Sequence, residues 1–436
     1  MLKTLKNAFK IKEIRVKLLF TLAMMVVIRI GSQLPVPGID ANVIRDALDQ
    51  LLGDSFSFLD AFTGGSFLSM SVFALSITPY ITSSIIMQLL TIAIPKLEEM
   101  QKDGADGKKK IASITRYVTV GLAIIESAAM AYSFAVNGYI EKSVLTYITI
   151  IACMTAGSTI LMWIGERITE KGVGNGISVV LVINILSRVP ADMTTLFNQF
   201  VIGKPIAKAV LATVIILAII LAMVVLVVLL NGGVRKIPVQ YAKKVQVRKM
   251  VGGQTSNIPM KVNTSGVIPI IFASSIMQFP IVLNSFFGWW DEGMGAKVMM
   301  ALNSNYWFNT KQPIYTLGAL VYIVLVVFFA YFYTSISFNP LEIANNMKKQ
   351  GGFIPGIRPG KPTSDYLARV LHSIVFIGAV GLIIVAVVPF VFNGIFGANV
   401  SFGGTSLIII VSVTLETMKQ IESQMLVRNY KGFLND

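Results

Sequence analysis

The stretch FSFLDAFTGGSFLSM, residues 56–70, runs directly into SVFALSITPYITSSIIMQLLTIAIP, residues 71–95. The second part is long and apolar enough to cross a bilayer, which takes about 20 residues. The first part is too short and too polar, because it carries Asp60 and the pair Gly64-Gly65. Lipid cannot satisfy the backbone groups of a half-inserted segment, so such a segment must lie inside protein or in a watery cavity. The sequence therefore predicts a cavity within a membrane protein, with residues 56–67 folded into it.

The composition independently indicates a membrane protein. Of the 436 residues, 54% are hydrophobic and only 14% are charged, and the mean hydropathy is +0.72. Soluble domains carry about 25% charged residues. No cleavable signal peptide is predicted, because residues 1–17 form a basic, amphipathic lead into an apolar segment without an A-x-A site. The single cysteine, Cys153, lies in an apolar run and is predicted to serve packing.

Ten apolar segments predict an all-α, polytopic protein with ten transmembrane helices. Their cores are Leu18–Leu34, Val72–Ile94, Val118–Val136, Leu145–Ile164, Ile177–Val189, Ala209–Leu230, Val267–Phe287, Ile314–Phe338, Leu371–Phe392 and Gly403–Leu415.

The distribution of charge predicts the orientation in the membrane. The side that holds the N-terminus and every second connection carries 29 of the 37 Lys and Arg residues, and the opposite side carries seven. Arg29 lies within the first segment. Basic loops remain in the cytoplasm. Both termini are therefore predicted to be cytoplasmic.

The two groups of five segments share irregularities. The second segment of each group contains proline, Pro79 in one and Pro269 and Pro280 in the other, and the fifth is short in both. Corresponding interrupted segments are typical of inverted repeats with a pathway at their interface. This pattern predicts an N-terminal half over residues 1–200 and a C-terminal half over residues 201–436, although similar hydropathy could also arise by coincidence. Long cytoplasmic loops are predicted at about 231–263 and 339–369.

Polar side chains line two of the predicted spans, while catalytic motifs are missing. The second span carries several hydroxyl groups and Gln88, and the seventh carries Ser274, Ser275 and Gln278. Such residues either line an aqueous seam or join neighbouring helices. Pumps and ion-coupled carriers keep charged groups at depth, and only Arg29 and Glu126 are candidates here. No H-E-x-x-H or G-x-S-x-G pattern occurs, so the chain is predicted not to be an enzyme, and neither a metal site nor a cofactor is predicted.

Five ordered motifs resemble the SecY family of protein-conducting channels over essentially the whole chain. They are FTGGS followed by SVFALSITPYITSSIIMQLL, KGVGNGIS, VNTSGVIPIIFASSIMQFP, FNPLEIANNMKKQGGFIPGIRPGKPT and FGGTSLIII. The resemblance implies two helical halves around an hourglass pore, with an aliphatic ring at its waist and a re-entrant plug helix over roughly residues 56–70.

The resemblance also implies roles for individual residues. The pore ring falls at Ile77, Ile81, Ile177, Leu181, Ile271 and Ile409. Leu181 stands where isoleucine is expected. The plug includes Phe56, Phe58, Leu59, Phe62, Gly64, Gly65 and Phe67. The lateral gate, through which signal peptides and transmembrane segments reach lipid, includes Gln88, Asn263, Ser274, Ser275, Gln278 and Phe279. Docking of the motor ATPase SecA and of the ribosome falls to Arg235, Lys236, Lys243, Lys244, Arg248, Lys249 and Arg358.

The resemblance further implies a heterotrimer with SecE and SecG in the bacterial cell membrane. Its function would be to pass unfolded preproteins across the membrane and to release signal peptides and spans into lipid, driven by SecA or the ribosome. The alternative is a secondary transporter with inverted repeats, which would require a small-substrate pocket at the midplane. Substrate-specific uptake without SecA or ribosomes would distinguish it.

Overall fold

The structure of the protein, a computed structural model, describes residues 2–39, 63–241, 244–246, 249–251, 255–287, 290, 293–308, 312–396 and 404–432. Within these ranges the chain is mostly helical. The helices are α1 Leu2–Lys10, α2 Lys12–Gly31, α3 Thr78–Ala93, α4 Pro95–Lys102, α5 Ala105–Val136, α6 Val144–Lys171, α7 Gly176–Phe200, α8 Ile206–Gly232, α9 Ile268–Phe287, α10 Gly293–Leu302, α11 Leu317–Ser337, α12 Pro340–Lys349, α13 Lys361–Phe396 and α14 Gly404–Gly432.

Ten of these helices coincide with the ten predicted apolar segments, which confirms an all-α, polytopic membrane protein. By length and composition alone, six helical stretches of the described chain can cross a membrane. They are α5, α6, α7, α8, the run Pro313–Lys349 that contains α11, and Lys361–Phe392 within α13. The pair α3 and α4 passes the same criterion together, but it bends by 101° at Ile94. Much of this apolar surface faces outward, as a lipid environment requires.

The second predicted span starts later than its apolar core suggests. Residues 64–77 form successive turns, and α3 begins only at Thr78. Pro79 lies in the first turn of α3, where its missing N–H costs no helical hydrogen bond. Ser76 has a positive φ of 52°, which a helix cannot contain. The strongly apolar segment is therefore divided into a re-entrant part and a shorter helix.

The helices that contain the fifth and tenth predicted segments, α7 and α14, are longer than predicted. The apolar core of the fifth segment ends at Val189, but α7 continues through Pro190 to Phe200. The tenth continues from its apolar part to Gly432. Only the apolar portions are short, because polar residues extend both helices beyond them.

Five short strands lie in the two predicted cytoplasmic loops. They are β1 Val234–Tyr241, β2 Lys244–Gln246, β3 Lys249–Val251, β4 Thr255–Lys261 and β5 Gly352–Phe353. Strands β1 and β4 pair antiparallel with Ile237 opposite Ile258, and β5 adds to the other edge of β1 with Phe353 opposite Gln240. The two loops, which are far apart in sequence, thus share one three-stranded sheet. Its apolar face, with Ile237 and Val239, packs on α12 and α13.

Three large apolar clusters hold the helices together. One is formed by α8, α9, α11, α13 and α14 in the second half of the chain, with Ile85 of α3 added, and another joins the re-entrant segment with α5 and α6 in the first half. The third takes residues from both halves, with members in α2, α3, α6, α7, α9 and α14. This shared cluster places the candidate site between the halves.

Candidate functional site

All six residues predicted to form the pore ring lie in the apolar cluster that the two halves share. Ile77, Leu181 and Ile409 are buried members, and the first and last are each only 1% exposed. Ile81, Ile177 and Ile271 are partly buried and pack against them. These side chains belong to four helical elements: α3 with its N-cap residue Ile77, α7, α9 and α14. The arrangement brings branched aliphatic groups from both halves to one place.

The start of α7 is held tightly enough to fix its two ring residues. The Asn175 side chain accepts a hydrogen bond from the Ile177 N–H at 3.1 Å, which caps the helix. The Gly176 N–H donates to the Thr169 hydroxyl at 2.8 Å. A Cβ atom on Gly176 would collide with the carbonyl group of Gly165 in α6. The two backbones are therefore in direct contact, and the Ile177 side chain also lies against α6, since a Cβ atom on Gly165 would stand 2.7 Å from its Cδ1.

The described part of the predicted plug is a buried, strained turn segment. Gly64 and Gly65 have φ values of 69° and 85°, so the chain cannot form a regular helix there. Phe67 and Met70 are buried in the first-half cluster, and Met70 has a positive φ of 42°. Four predicted plug residues lie outside the described residues: Phe56, Phe58, Leu59 and Phe62.

Sequence reasoning missed the residues that hold Gly64. The Arg29 guanidinium in α2 donates to the Gly64 carbonyl at 3.2 Å. The Ser187 hydroxyl in α7 lies 3.2 Å from the same carbonyl and 2.6 Å from the Asn184 carbonyl. An arginine near the end of a predicted span was the available signal, but nothing in the sequence indicated its partner.

The polar gate residues Gln88 and Asn263 do not bond to each other. Gln88 donates to Ser84 one turn earlier in α3 at 3.4 Å. Asn263 donates to the Asn231 side chain at the end of α8 at 2.9 Å, and Asn231 donates to Ser412 of α14 at 2.7 Å. Asn263 is buried, and its own side-chain oxygen has no hydrogen-bond partner among the described residues. The structure therefore ties Asn263 to the second half of the chain.

The other predicted gate residues occupy different faces of α9. Ser274 is buried, Ser275 and Gln278 are half-buried, and Phe279 is 62% exposed. Phe272 and Met277 of the same helix belong to the second-half cluster. The helix thus presents one face to its own half and leaves Phe279 uncovered.

The predicted docking residues lie on the two loops that the sheet joins. Arg235 and Lys236 are exposed on β1, and Arg358 is exposed in the turn before α13. Lys244 and Lys249 lie in the paired strands β2 and β3. Lys243 and Arg248 lie outside the described residues. The Arg358 carbonyl accepts a hydrogen bond from Thr363 at 2.8 Å, which fixes this turn to the first turn of α13.

Comparison with known proteins shows the family of the chain. The family described as SecY matches residues 71–418. A protein translocase subunit SecY from Streptomyces galbus is 44% identical over 449 residues, with both chains covered completely. The chain belongs to the SecY family. Another SecY subunit, from Halalkalibacterium halodurans, is 41% identical with the same full coverage, and one from Mycobacterium tuberculosis is 40% identical, also over the full length of both chains.

Solved structures in the SecY family share the fold. A SecY protein described by its plug domain, which stabilises the closed channel and maintains a membrane seal, has a TM-score of 0.62 at 18% identity. The comparison covers 94% of this chain and 92% of that one. Sec61 from a canine ribosome-channel complex has a TM-score of 0.60 at 17% identity, with the same coverage. Both show that this helical architecture extends over nearly the whole chain.

Proposed function

We propose that this chain is the channel-forming subunit of a Sec translocon. It passes unfolded preproteins across the membrane and releases signal peptides and transmembrane segments sideways into lipid. The observation that carries this proposal is the convergence of six aliphatic side chains from both halves in one cluster. The relatives named protein translocase subunit SecY, which match along the entire chain, support the same function.

An aliphatic constriction suits a passive polypeptide channel. A narrow apolar ring excludes ions by dewetting, without a charged filter. Methyl groups bind no particular polypeptide sequence, so varied chains pass with little selectivity. The aliphatic side chains of the ring also pack around polypeptides of different width. Ile77, Ile81, Ile177, Leu181, Ile271 and Ile409 form this ring in our proposal.

We assign the lateral gate and the outer seal from the division of the chain into two halves. We assign residues 1–200 and 201–436 to two lobes that separate along α3 and α9. A hydrophobic signal helix opens this seam by replacing helix packing with its own, so opening depends on differential affinity. Residues 56–70, with their two glycines, serve as the plug on the outer side.

The cytoplasmic loops serve as the docking surface. Exposed cations such as Arg235, Lys236 and Arg358 suit ribosomal RNA phosphates or a motor ATPase of the SecA type. SecE and SecG complete the complex in the bacterial cell membrane, with both termini in the cytoplasm. The three-stranded sheet supports this role, because it joins both docking loops to α13.

Reconstitution tests the proposed function. The chain is placed in proteoliposomes with SecE, and SecA, ATP and a preprotein are added outside. We expect full-length preprotein to become protected from added protease, and protection to require both ATP and a signal sequence. Protection without the chain, or uptake of a small solute by the chain alone, would contradict the proposal.

A further inference from the structure

A short helix, α10, connects the end of α9 with the start of α11 on the side of the protein away from the three-stranded sheet. Just before α10 begins, the Trp290 N–H donates to the Asn284 side-chain oxygen of α9 at 2.7 Å. Near its other end, a Cβ atom on Gly318, in the first turn of α11, would collide with the Ala301 carbonyl group. The Trp307 ring N–H donates to the same carbonyl at 2.8 Å. Both ends of α10 are therefore fixed at the level where a span ends or begins.

These attachments and the length of α10 determine how it lies relative to the membrane. Its ten residues extend about 15 Å, at about 1.5 Å per residue. The hydrocarbon core of a bilayer is about 30 Å thick, so α10 is too short to cross it. Because its two ends are held at the same side of two neighbouring spans, the helix axis runs along the boundary of the bilayer.

One face of α10 carries apolar side chains that no described residue covers. Met294 is 80% exposed, and Val298, one turn later, is exposed as well. Positions four apart share one side of a helix. Trp290, just before the helix, is also exposed, and Lys297 is exposed at the edge of the same face. Met299, on the opposite side, is half-buried against the protein. The helix is therefore amphipathic, and its apolar face points outward.

The surface beside this face is lipid-facing by composition. Helix α10 packs against the turn Pro313–Thr316 and against α11. Ile314 and Leu317 in this region are 75% and 66% exposed, and the run Pro313–Lys349 is apolar enough to cross a membrane. Tryptophan is enriched at membrane interfaces. A lysine at the edge of an apolar face covers apolar surface with its stem and keeps its ammonium group in water. The exposed face of α10 thus continues the lipid-facing surface of α11.

We infer that α10 is an interfacial helix whose exposed face, formed by Trp290, Met294 and Val298, is buried in the lipid leaflet away from the sheet, with Lys297 at the level of the lipid phosphates. An amphipathic helix in this position buries its apolar side where headgroups meet acyl chains. In the proposed orientation this is the outer leaflet. The inference goes beyond the proposed function, because it concerns a lipid contact that polypeptide transport does not require.

Fluorescence quenching at Met294 tests the inference. Cysteine replaces Met294 in a Cys153→Ser background and is labelled with bimane, and the chain is reconstituted with SecE into vesicles of phosphatidylethanolamine and phosphatidylglycerol. One quencher is a nitroxide near the top of a lipid acyl chain, and the other is iodide in the water on both sides. Leu317→Cys is the lipid-facing reference, and Lys142→Cys, exposed between α5 and α6, is the water-facing one. We expect lipid nitroxide to quench M294C within about twofold of L317C, and iodide to quench it about threefold less than K142C.

The outcomes distinguish lipid, water and protein as the neighbour of this face. Strong quenching of M294C by iodide would show that the face lies in water, and protection from both quenchers would show that protein covers it. Either result overturns the inference. If M294C lowers the amount of folded protein, Val298→Cys takes its place with the same expectation, since Val298 is exposed on the same face. No preprotein is added, so a failure here is separate from a failure of the proposed function.

A cysteine scan from Gly293 to Met300 separates an interfacial helix from one that lies deeper in lipid. At the interface, quenching by lipid nitroxide should follow a period of about 3.6 residues, with maxima at Met294 and Val298 and the lowest values at Ala296 and Met299. Uniformly strong quenching would place the whole helix within the hydrocarbon core. Uniformly weak quenching would place it outside the membrane. Both results would contradict the interfacial position.

Discussion

Gly64 lies directly against the backbone of Asn184, so that a Cβ atom on Gly64 would stand 2.8 Å from both the Asn184 Cα and its carbonyl oxygen. Gly65, the next residue, also has a positive φ, but a Cβ there would meet only the Arg188 side chain at 3.9 Å. The two glycines therefore share a conformational constraint and differ in their surroundings.

This difference predicts unequal effects of alanine at the two positions. Both variants incur the strain of a left-handed conformation, about 1–2 kcal/mol. Only Gly64→Ala must also push the re-entrant segment away from α7. We expect G64A to raise resting ion flux at least tenfold and G65A to remain nearly tight, as measured in proteoliposomes. Similar leaks from both would mean that contact with Asn184 does not seat the segment.

The ring assignment predicts that polarity matters at Ile409 more than at other buried positions. Ile150 is the matched control, because it is fully buried in the first-half cluster and outside the ring. Threonine at either position buries a hydroxyl and should destabilise the protein by about 1–3 kcal/mol. We expect only Ile409→Thr to increase ion flux and to allow export of preproteins with weakened signal sequences. A comparable leak from Ile150→Thr would make the effect one of stability alone.

Periodicity and hydropathy were sufficient to predict the helical class and the spans, whereas the convergence of Ile77 with Ile409 was implied by the resemblance to the SecY family. The residues that fasten the site could not be predicted in the same way. Arg29 and Gly64 are distant in sequence, and a backbone carbonyl as acceptor leaves no mark on residue type. The sheet was missed because β5 contains only two residues, and its pairing with Gln240 and Tyr241 depends on the tertiary position of two loops.

The start of α3 was mispredicted for a related reason. Hydropathy continues unbroken through Val72 to Ser76, so an apolar window cannot detect the change from turns to helix. The deciding facts are conformational: the positive φ of Ser76 and the backbone bonds from residues 34–36. Tertiary contacts override the local helical preference here.

The bond between Asn231 and Asn263 predicts measurable coupling within the second half. Hydrogen bonds between membrane helices contribute about 0.6–2 kcal/mol each. Alanine at either position removes the 2.9 Å bond, so a double-mutant cycle on thermal unfolding in detergent should give a coupling energy in this range. The pair Gln88 and Ser84 is the control, since its bond is 3.4 Å long and lies within one helix. We expect coupling near zero there. A zero value for Asn231 with Asn263 would mean that this bond does not hold Asn263 to the second half.

The exposed position of Arg358 predicts that its replacement causes a specific loss of SecA-driven transport. It is exposed in a turn fixed to α13, whereas Lys361, three residues later, is an exposed cation at the first position of that helix. We expect Arg358→Ala to lower SecA-driven preprotein transport about tenfold and Lys361→Ala to lower it less than twofold. Protein amount and thermal stability should be unchanged in both. Equal losses would indicate a general effect of charge rather than a contact made by Arg358.

The exposed cations Arg235 and Lys236 are predicted to make a salt-dependent contribution to ribosome binding. Both are exposed on β1, and a protein that neutralises phosphates releases counterions, so the logarithm of the binding constant falls linearly with the logarithm of salt concentration. Replacing both with glutamine should weaken binding and reduce the magnitude of that slope by about 2. The matched control is Lys204→Gln with Lys208→Gln, which removes the same charge from the opposite side of the protein. Because long-range attraction is screened within about 10 Å at 0.1 M salt, the control should leave the slope unchanged. An equal change in both double variants would mean that net charge, and not the sheet, determines ribosome affinity.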